Sequence, residues 1–213
     1  IAYLTGQSTA DEVRGSQQVL VLDDGRVVLI DYRSSCCDAN YYDSRLVSLP
    51  ADLDDTQVTY GPWLENTFLY GLAELPDGRI LVVGGDTGAV ESFTLDSVAD
   101  STPEQFGSFA AGSGTGEMFI PTRPIVGPGD QYVYIGDTGA DGYSSFENGR
   151  IVRVDVSGGS FQAYGSPGTG TGQFDNPRIL GILPDNRLYI MDTGNLRLAR
   201  IDPGALSGGS ASW

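Results

Sequence analysis

Three Asp-Thr-Gly triplets, at 86–88, 137–139 and 192–194, are the residues that first invite a chemical reading. Two such loops facing each other can share a proton between carboxylates and activate water for hydrolysis. The enzymes that do this follow the glycine with Ser or Thr, whereas Ala89, Ala140 and Asn195 follow here. A triplet repeated three times fits a turn better. Its aspartate accepts backbone N–H groups and its glycine supplies a permissive backbone. Asp31, Asp86, Asp137 and Asp192 are therefore expected to be structural turn caps. Each should accept an N–H from its own loop, and none should be catalytic. No resident metal or cofactor is expected, and carboxylate-bound Ca²⁺ is the one ion the composition leaves open.

Composition removes most other chemistry. The chain has no His, and its 12 basic residues are all Arg. Nucleophile–histidine dyads, histidine-ligated zinc, lysine Schiff bases and P-loops are all excluded. An enzyme built on this chain works with carboxylates, Tyr, Arg or a cofactor. A net charge of −16 repels phosphate backbones and anionic lipid, so nucleic acid is not an expected partner. No apolar run approaches the roughly 18 residues that cross a bilayer, so no membrane insertion is expected. The only cysteines, Cys36 and Cys37, are adjacent. They can bond to each other, bond to another chain or stay reduced, and a vicinal disulfide in an exported protein is the expectation. An extracellular or cell-surface location goes with it.

The elements that must position these residues repeat along the chain. Asp24-Gly25-Arg26, Asp77-Gly78-Arg79, Gly129-Asp130-Gln131 and Asp185-Asn186-Arg187 each open a short apolar strand that closes on an aspartate, at 31, 86, 137 and 192. An apolar strand precedes each: Gln18–Leu22, Leu69–Leu75, Arg123–Val126 and Ile179–Leu183. A third strand follows: Arg45–Leu49, Ala89–Leu95, Arg150–Val156 and Leu196–Ile201. A fourth strand follows in three repeats, at Gln57–Tyr60, Gln105–Phe109 and Phe161–Tyr164. The Asp-Gly and Asp-Asn steps are hairpin signals. The arginines after them read as solvated strand starts or inter-blade ion pairs. A period of this length marks a repeat architecture.

Residues 172–203, with Gly172-Gln173-Phe174-Asp175-Asn176-Pro177 and Asp192-Thr193-Gly194-Asn195, resemble an NHL repeat, whose pattern is Gly-x-Phe-x-x-Pro, strand, Asp-Gly, strand, Asp-Thr-Gly-Asn. Residues 116–156 resemble it through Gly116, Phe119, Pro121 and Asp137-Thr138-Gly139, and residues 68–96 through Asp77-Gly78 and Asp86-Thr87-Gly88. The first repeat keeps Asp24-Gly25 and Asp31. The resemblance implies an all-β propeller, and the four repeats make it a four-bladed β-propeller of about 53 residues per blade. Blades are expected at 16–60, 68–110, 117–165 and 173–204. Residues 1–6, through Ala2-Tyr3-Leu4, should close the ring by pairing with the last blade, and 205–213 should form a flexible tail.

Two loops between second and third strands are long. One runs from Tyr32 to Ser44 and holds Arg33, Asp38, Tyr41, Tyr42 and Asp43; the other runs from Thr138 to Gly149 and holds Asp141, Tyr143 and Phe146. Blades 1 and 3 stand opposite each other in a four-blade ring, so both loops should share one recognition face. Trp63 and Trp213 are expected to pack elsewhere. The leading functional expectation is a non-catalytic extracellular binding or scaffolding propeller that contacts protein or glycan through this face. One alternative is a structural subunit that self-associates by strand exchange. The other is what the resemblance implies for some relatives, a lyase or hydrolase, here with carboxylate-bound calcium.

Overall fold

The computed structural model describes residues 18–34, 42–65, 67–85, 91–99, 102–138 and 148–203. Within them the chain forms four antiparallel meanders joined in sequence. The first comprises Val19–Val21, Val27–Ser34, Tyr42–Leu49 and Thr59–Tyr60. The second comprises Leu69–Glu74, Ile80–Gly84, Glu91–Leu95 and Glu104–Gln105. The third comprises Pro121–Val126, Tyr132–Asp137, Arg150–Asp155 and Gln162–Tyr164. The fourth comprises Pro177–Ile182, Leu188–Asp192 and Arg197–Ile201. Between described residues the only helix is a single 3₁₀ turn at Asp55–Gln57, and no helix is long and apolar enough to cross a membrane.

The hairpin turns form where expected. Gly25 and Gly78 sit at φ 89° and 85°, in the left-handed region. The third and fourth hairpins place Asp130 (φ 56°) and Asn186 (φ 58°) there, short polar residues that tolerate it. Arg26 and Arg79 fold back onto their own turn aspartates, Asp24 and Asp77, at 2.7 and 2.8 Å. They are exposed turn pairs rather than inter-blade bridges, and such pairs stabilise little.

The core is divided between the sheets, because each strand alternates its side chains between two faces. Val28, Ile30 and Leu46 of sheet one pack on Leu69, Ile80, Val82 and Phe93 of sheet two. Leu81 and Val83 of sheet two meet Val133, Ile135, Val152 and Val154 of sheet three. Tyr134, Ile151 and Tyr164 of sheet three meet Ile179, Leu188, Ile190 and Ile201 of sheet four. Polar stitches fix the register. Gln18 donates to Leu72 O and accepts from Leu72 N, both at 2.8 Å. Arg123 Nη1 donates to Leu180 O at 2.7 Å.

Gly136 leaves no room for a side chain between Thr122 of its own sheet and Pro177 of sheet four. A Cβ there would stand 2.4 Å from Thr122 Oγ1 and 2.6 Å from Pro177 O. Gly136→Ala should therefore lower the unfolding free energy by about 1–3 kcal/mol, read as a lower urea midpoint. An unchanged midpoint would contradict this packing.

Three expectations change here. The first hairpin continues to Ser34 and resumes at Tyr42, so Tyr32, Arg33 and Asp43 are strand residues and not loop residues. Cross-strand pairing of their charges extends the ladder. The family-pattern phenylalanine of the third repeat is Met118, not Phe119. Met118 is fully buried and bridges to the connector at Glu117–Met118, as Phe174 does at Gln173–Phe174. The fourth strands of sheets one and two are only two residues long. The expected closing strand Ala2–Leu4 and the tail lie outside the described residues.

Candidate functional site

The triplet aspartates are built into staples. Asp137 is fully buried. Its carboxylate accepts the Phe119 N–H at 2.9 Å, Asn148 Nδ2 at 3.0 Å and Arg150 Nε at 2.9 Å. Arg150 spends its other donors on connector carbonyls, those of Ser113 at 2.6 Å and Glu117 at 2.7 Å. Asp192 repeats the arrangement with the Asp175 N–H, Asn195 and Arg197, and Arg197 reaches Thr169 O and Gly170 O. In sheet one, Arg45 Nε meets Asp31 at 2.8 Å. The backbone N–H groups that Asp137 and Asp192 accept, from Phe119 and Asp175, come from the incoming connectors; for Asp192 this stands in place of the N–H expected from its own turn. Burial pushes the Asp137 carboxyl above its ordinary range, against the lowering by the Phe119 N–H and Arg150. No substrate atom can reach Asp31, Asp137 or Asp192, since all three are fully buried. Asp86 lies outside the described residues.

A second cluster stands at the extended end of sheet one. Asp31 pairs across the strands with Arg45, and Arg33 with Asp43, on one face. The four charges alternate as a checkerboard, with Arg33 Nε 2.9 Å from Asp43. Trp63, from the segment after the fourth strand, covers both guanidiniums at 4.3 Å. That face-on geometry is favourable for a cation over an indole. Only Arg33 is well exposed, with 42% of its side chain accessible against 13% for Asp43 and 5% for Arg45. On the other side of the strand, Tyr32 contacts Phe68 at 5.8 Å, and Phe68 contacts Tyr70 at 4.9 Å. The charged pairs with Trp63 and the Tyr32–Phe68–Tyr70 rings thus occupy opposite faces of the same end of sheet one.

Of the expected recognition residues, Arg33 and Asp43 pair on one face at this end and Tyr32 lies on the other face. Tyr42 opens the third strand. Asp38, Tyr41, Asp141, Tyr143, Phe146, Cys36 and Cys37 lie outside the described residues. Trp63 was expected to pack elsewhere; it belongs to the cluster. Its signal was the register that sets Arg33 and Arg45 two pairs apart on one face. A cleft of about 520 Å³ beside the third staple was also not foreseen. Ser113, Thr115, Arg150, Phe161 and Gln162 are among its lining residues. Its one charged wall, Arg150, is already held by Asp137 and the connector.

Asp31 and Asp43 each already hold a guanidinium, and no cluster of three metal-ligating side chains occurs among the described residues.

No family profile and no curated protein matches the chain. Solved structures do. A protein assigned as a gluconolactonase superposes with a TM-score of 0.59 at 15% identity, over 87% of this chain and 58% of that one. A protein assigned as an exo-β-1,3-galactanase, from Bifidobacterium bifidum, gives 0.51 at 13% identity, over 92% and 69%. A puromycin-hydrolysing peptidase from Mycobacterium tuberculosis gives 0.50 at 16%, over 88% and 30%. The fold is a β-propeller. The chain spans little more than half the length of the first of these structures. All three structures are assigned as enzymes, and nothing found supports a non-catalytic scaffold. The expectation of a binding or scaffolding propeller is corrected accordingly.

Proposed function

We propose that this NHL-type propeller is a hydrolase acting on a carbohydrate-like ester, lactone or glycoside at the extended end of sheet one. The observation that carries the reading is the pairing of Arg33 and Asp43 under the Trp63 ring on one face of the strand end, with Tyr32, Phe68 and Tyr70 on the other face. Aromatic faces take up the C–H faces of a sugar, and a guanidinium fork orients its oxygens. The assignments of the gluconolactonase and the galactanase agree with such a substrate class. Export to the cell surface, where glycans are met, belongs to the same reading.

The chemistry needs no metal. Arg33 donates N–H groups to the oxygen on which charge develops as the C–O bond breaks. Asp43 takes a proton from the attacking water, whose oxygen forms the new bond to carbon, and the proton passes to the departing oxygen. Asp31 and Arg45 act behind them as a buried pair that fixes the strand ends.

The test is turnover of gluconolactone, p-nitrophenyl esters and p-nitrophenyl glycosides, with and without chelator. Asp43→Asn should lower kcat by about 10²-fold or more with the circular dichroism spectrum retained. Arg33→Ala should do the same. The proposal fails if the panel shows no turnover above buffer, or if both variants turn over like the parent.

A further inference from the structure

The chain sets 28 acidic residues against 12 arginines, and most of the described arginines meet a carboxylate. Among the described residues Arg123, Arg153, Arg178 and Arg200 meet none, and of these Arg153 alone is buried, at 6% exposure. Its Nε is buried without a hydrogen-bond partner. Aromatic rings surround the guanidinium instead, which lies 4.3 Å from the Tyr132 centroid and 5.6 Å from that of Tyr164. Burying a cation without a counter-charge costs free energy that ring contacts offset only in part.

The register of sheet three brings the remaining groups to it. Arg153 pairs with Tyr134 on one side and with Gln162 on the other, so the three side chains share a row on one face. Tyr164, two residues beyond Gln162 on the same strand, shares that face. Gln162 Oε1 accepts from Arg153 Nη2 and from the Tyr164 hydroxyl. Two donors, one of them charged, therefore converge on a single neutral oxygen. Burial raises the Tyr164 hydroxyl above its ordinary range, against the pull of Arg153, so it stays a donor. Gln162 itself is exposed. With Tyr164 it lines the cleft of about 520 Å³, whose wall also includes Phe161, Ser113 and Thr115. The connector's own carboxylate, Glu117, is turned onto the Gly114 N–H at 2.6 Å.

We propose that this cleft binds an acidic sugar, a hexuronate, whose carboxylate takes the place of Gln162 Oε1 on Arg153 and Tyr164. An exposed amide swings out at small cost, and the oxygen that replaces it carries charge. A carboxylate meets the guanidinium with two oxygens in the plane of its fork, a charge-assisted contact that a neutral amide oxygen does not make. It also gives Arg153 the counter-charge that no described side chain supplies. Phe161 and Tyr164 offer apolar ring faces to the C–H groups of the sugar, and the Ser113 and Thr115 hydroxyls lie in the same wall for its O–H groups. The cleft volume falls within the roughly 300–1,000 Å³ of small-ligand sites. With a net charge of −16 the chain repels an anion at a distance, so selection is made at contact, by Arg153. The site lies in sheet three, apart from the Arg33–Asp43 pair of sheet one, and does not rest on the reading given for that pair.

Calorimetric titration of the 213-residue chain with methyl β-glucuronide, methyl β-glucoside and acetate tests the site. The glucuronide should bind about tenfold or more tighter than either the neutral glucoside or acetate. Gln162→Glu puts a carboxylate on Arg153 and Tyr164 from within the chain. It should abolish glucuronide binding and raise the melting temperature by about 2 °C or more. Gln162→Ala removes the competing oxygen and should tighten glucuronide binding severalfold. Both substitutions fall at an exposed position, so the circular dichroism spectrum should be that of the parent. The inference is overturned if the glucuronide binds no tighter than the glucoside, or if acetate binds as tightly, since the ring is then not read. Glucuronide binding that survives Gln162→Glu would overturn it too. So would binding that weakens in Gln162→Ala, which would make Gln162 a wall of the cleft and not the holder of the carboxylate's place.

Discussion

Replacing Asp137 with alanine is expected to remove about 3–5 kcal/mol of stability, a large share of what a domain of this kind holds. The carboxylate is the single acceptor on which three donors converge: Arg150 Nε, Asn148 Nδ2 and the Phe119 N–H. Without it the Arg150 charge stays buried beside an empty acceptor site, and the connector N–H loses its partner as well. Asp137→Asn keeps an oxygen for Phe119 but turns an amide toward a guanidinium, so it should fall between alanine and the parent. A pair of apolar replacements, Asp137→Leu with Arg150→Met, separates the contributions. It removes the buried charges together, which by itself is often nearly neutral. It still releases the carbonyls of Ser113 and Glu117 that Arg150 holds. The double variant should therefore recover only part of the loss, with faster amide exchange confined to the connector. Urea denaturation of the four proteins measures this, and a single-variant loss below about 1 kcal/mol would refute the staple.

The repeat was legible because each of its signals is local. An Asp-Gly step, an alternating apolar strand and a closing aspartate are written within about ten residues of one another. That is why the strands of sheet three fall within one or two residues of their expected bounds. The partners of Asp137 and Asp192 were not legible. Phe119 and Asp175 lie 18 and 17 residues upstream, across a connector whose path no local pattern specifies. The same holds for Trp63, which reaches Arg33 and Arg45 only after the intervening strands have folded back. Tyr32, Arg33 and Asp43 were expected in a loop and lie in strands. Paired charges carry the hairpin further than its apolar residues alone would suggest. Function was the least legible part, since one propeller fold hosts both catalytic and non-catalytic proteins.

The aromatic of the repeat gives the second large effect. Phe174→Ala should cost about 3–5 kcal/mol, because the ring is fully buried among Tyr134, Ile151, Ile179 and Ile190 and nothing nearby can fill the space. The backbone has been shaped around this residue. A Cβ on Gly165 would meet the ring at 2.8 Å, and one on Gly149 would meet the Phe174 carbonyl at 2.2 Å. The third repeat puts Met118 in the equivalent place, also fully buried, between sheets two and three. If the two places are equivalent, the residues should be exchangeable in kind. Phe174→Met should cost no more than about 1–2 kcal/mol, since a flexible thioether of similar volume refills most of the cavity. Met118→Ala should cost about 2–5 kcal/mol, in parallel with Phe174→Ala. Met118 and Phe174 sit two residues after Gly116 and Gly172, and each bridges back to its own connector, at Ala111 and Pro167. Loss of either plug should therefore loosen the connector that carries the staple carbonyls, and Arg150 or Arg197 with it. Urea midpoints for the three variants decide the matter. A Phe174→Met loss as large as that of Phe174→Ala would mean that the ring's shape, and not the plug, is what the repeat requires.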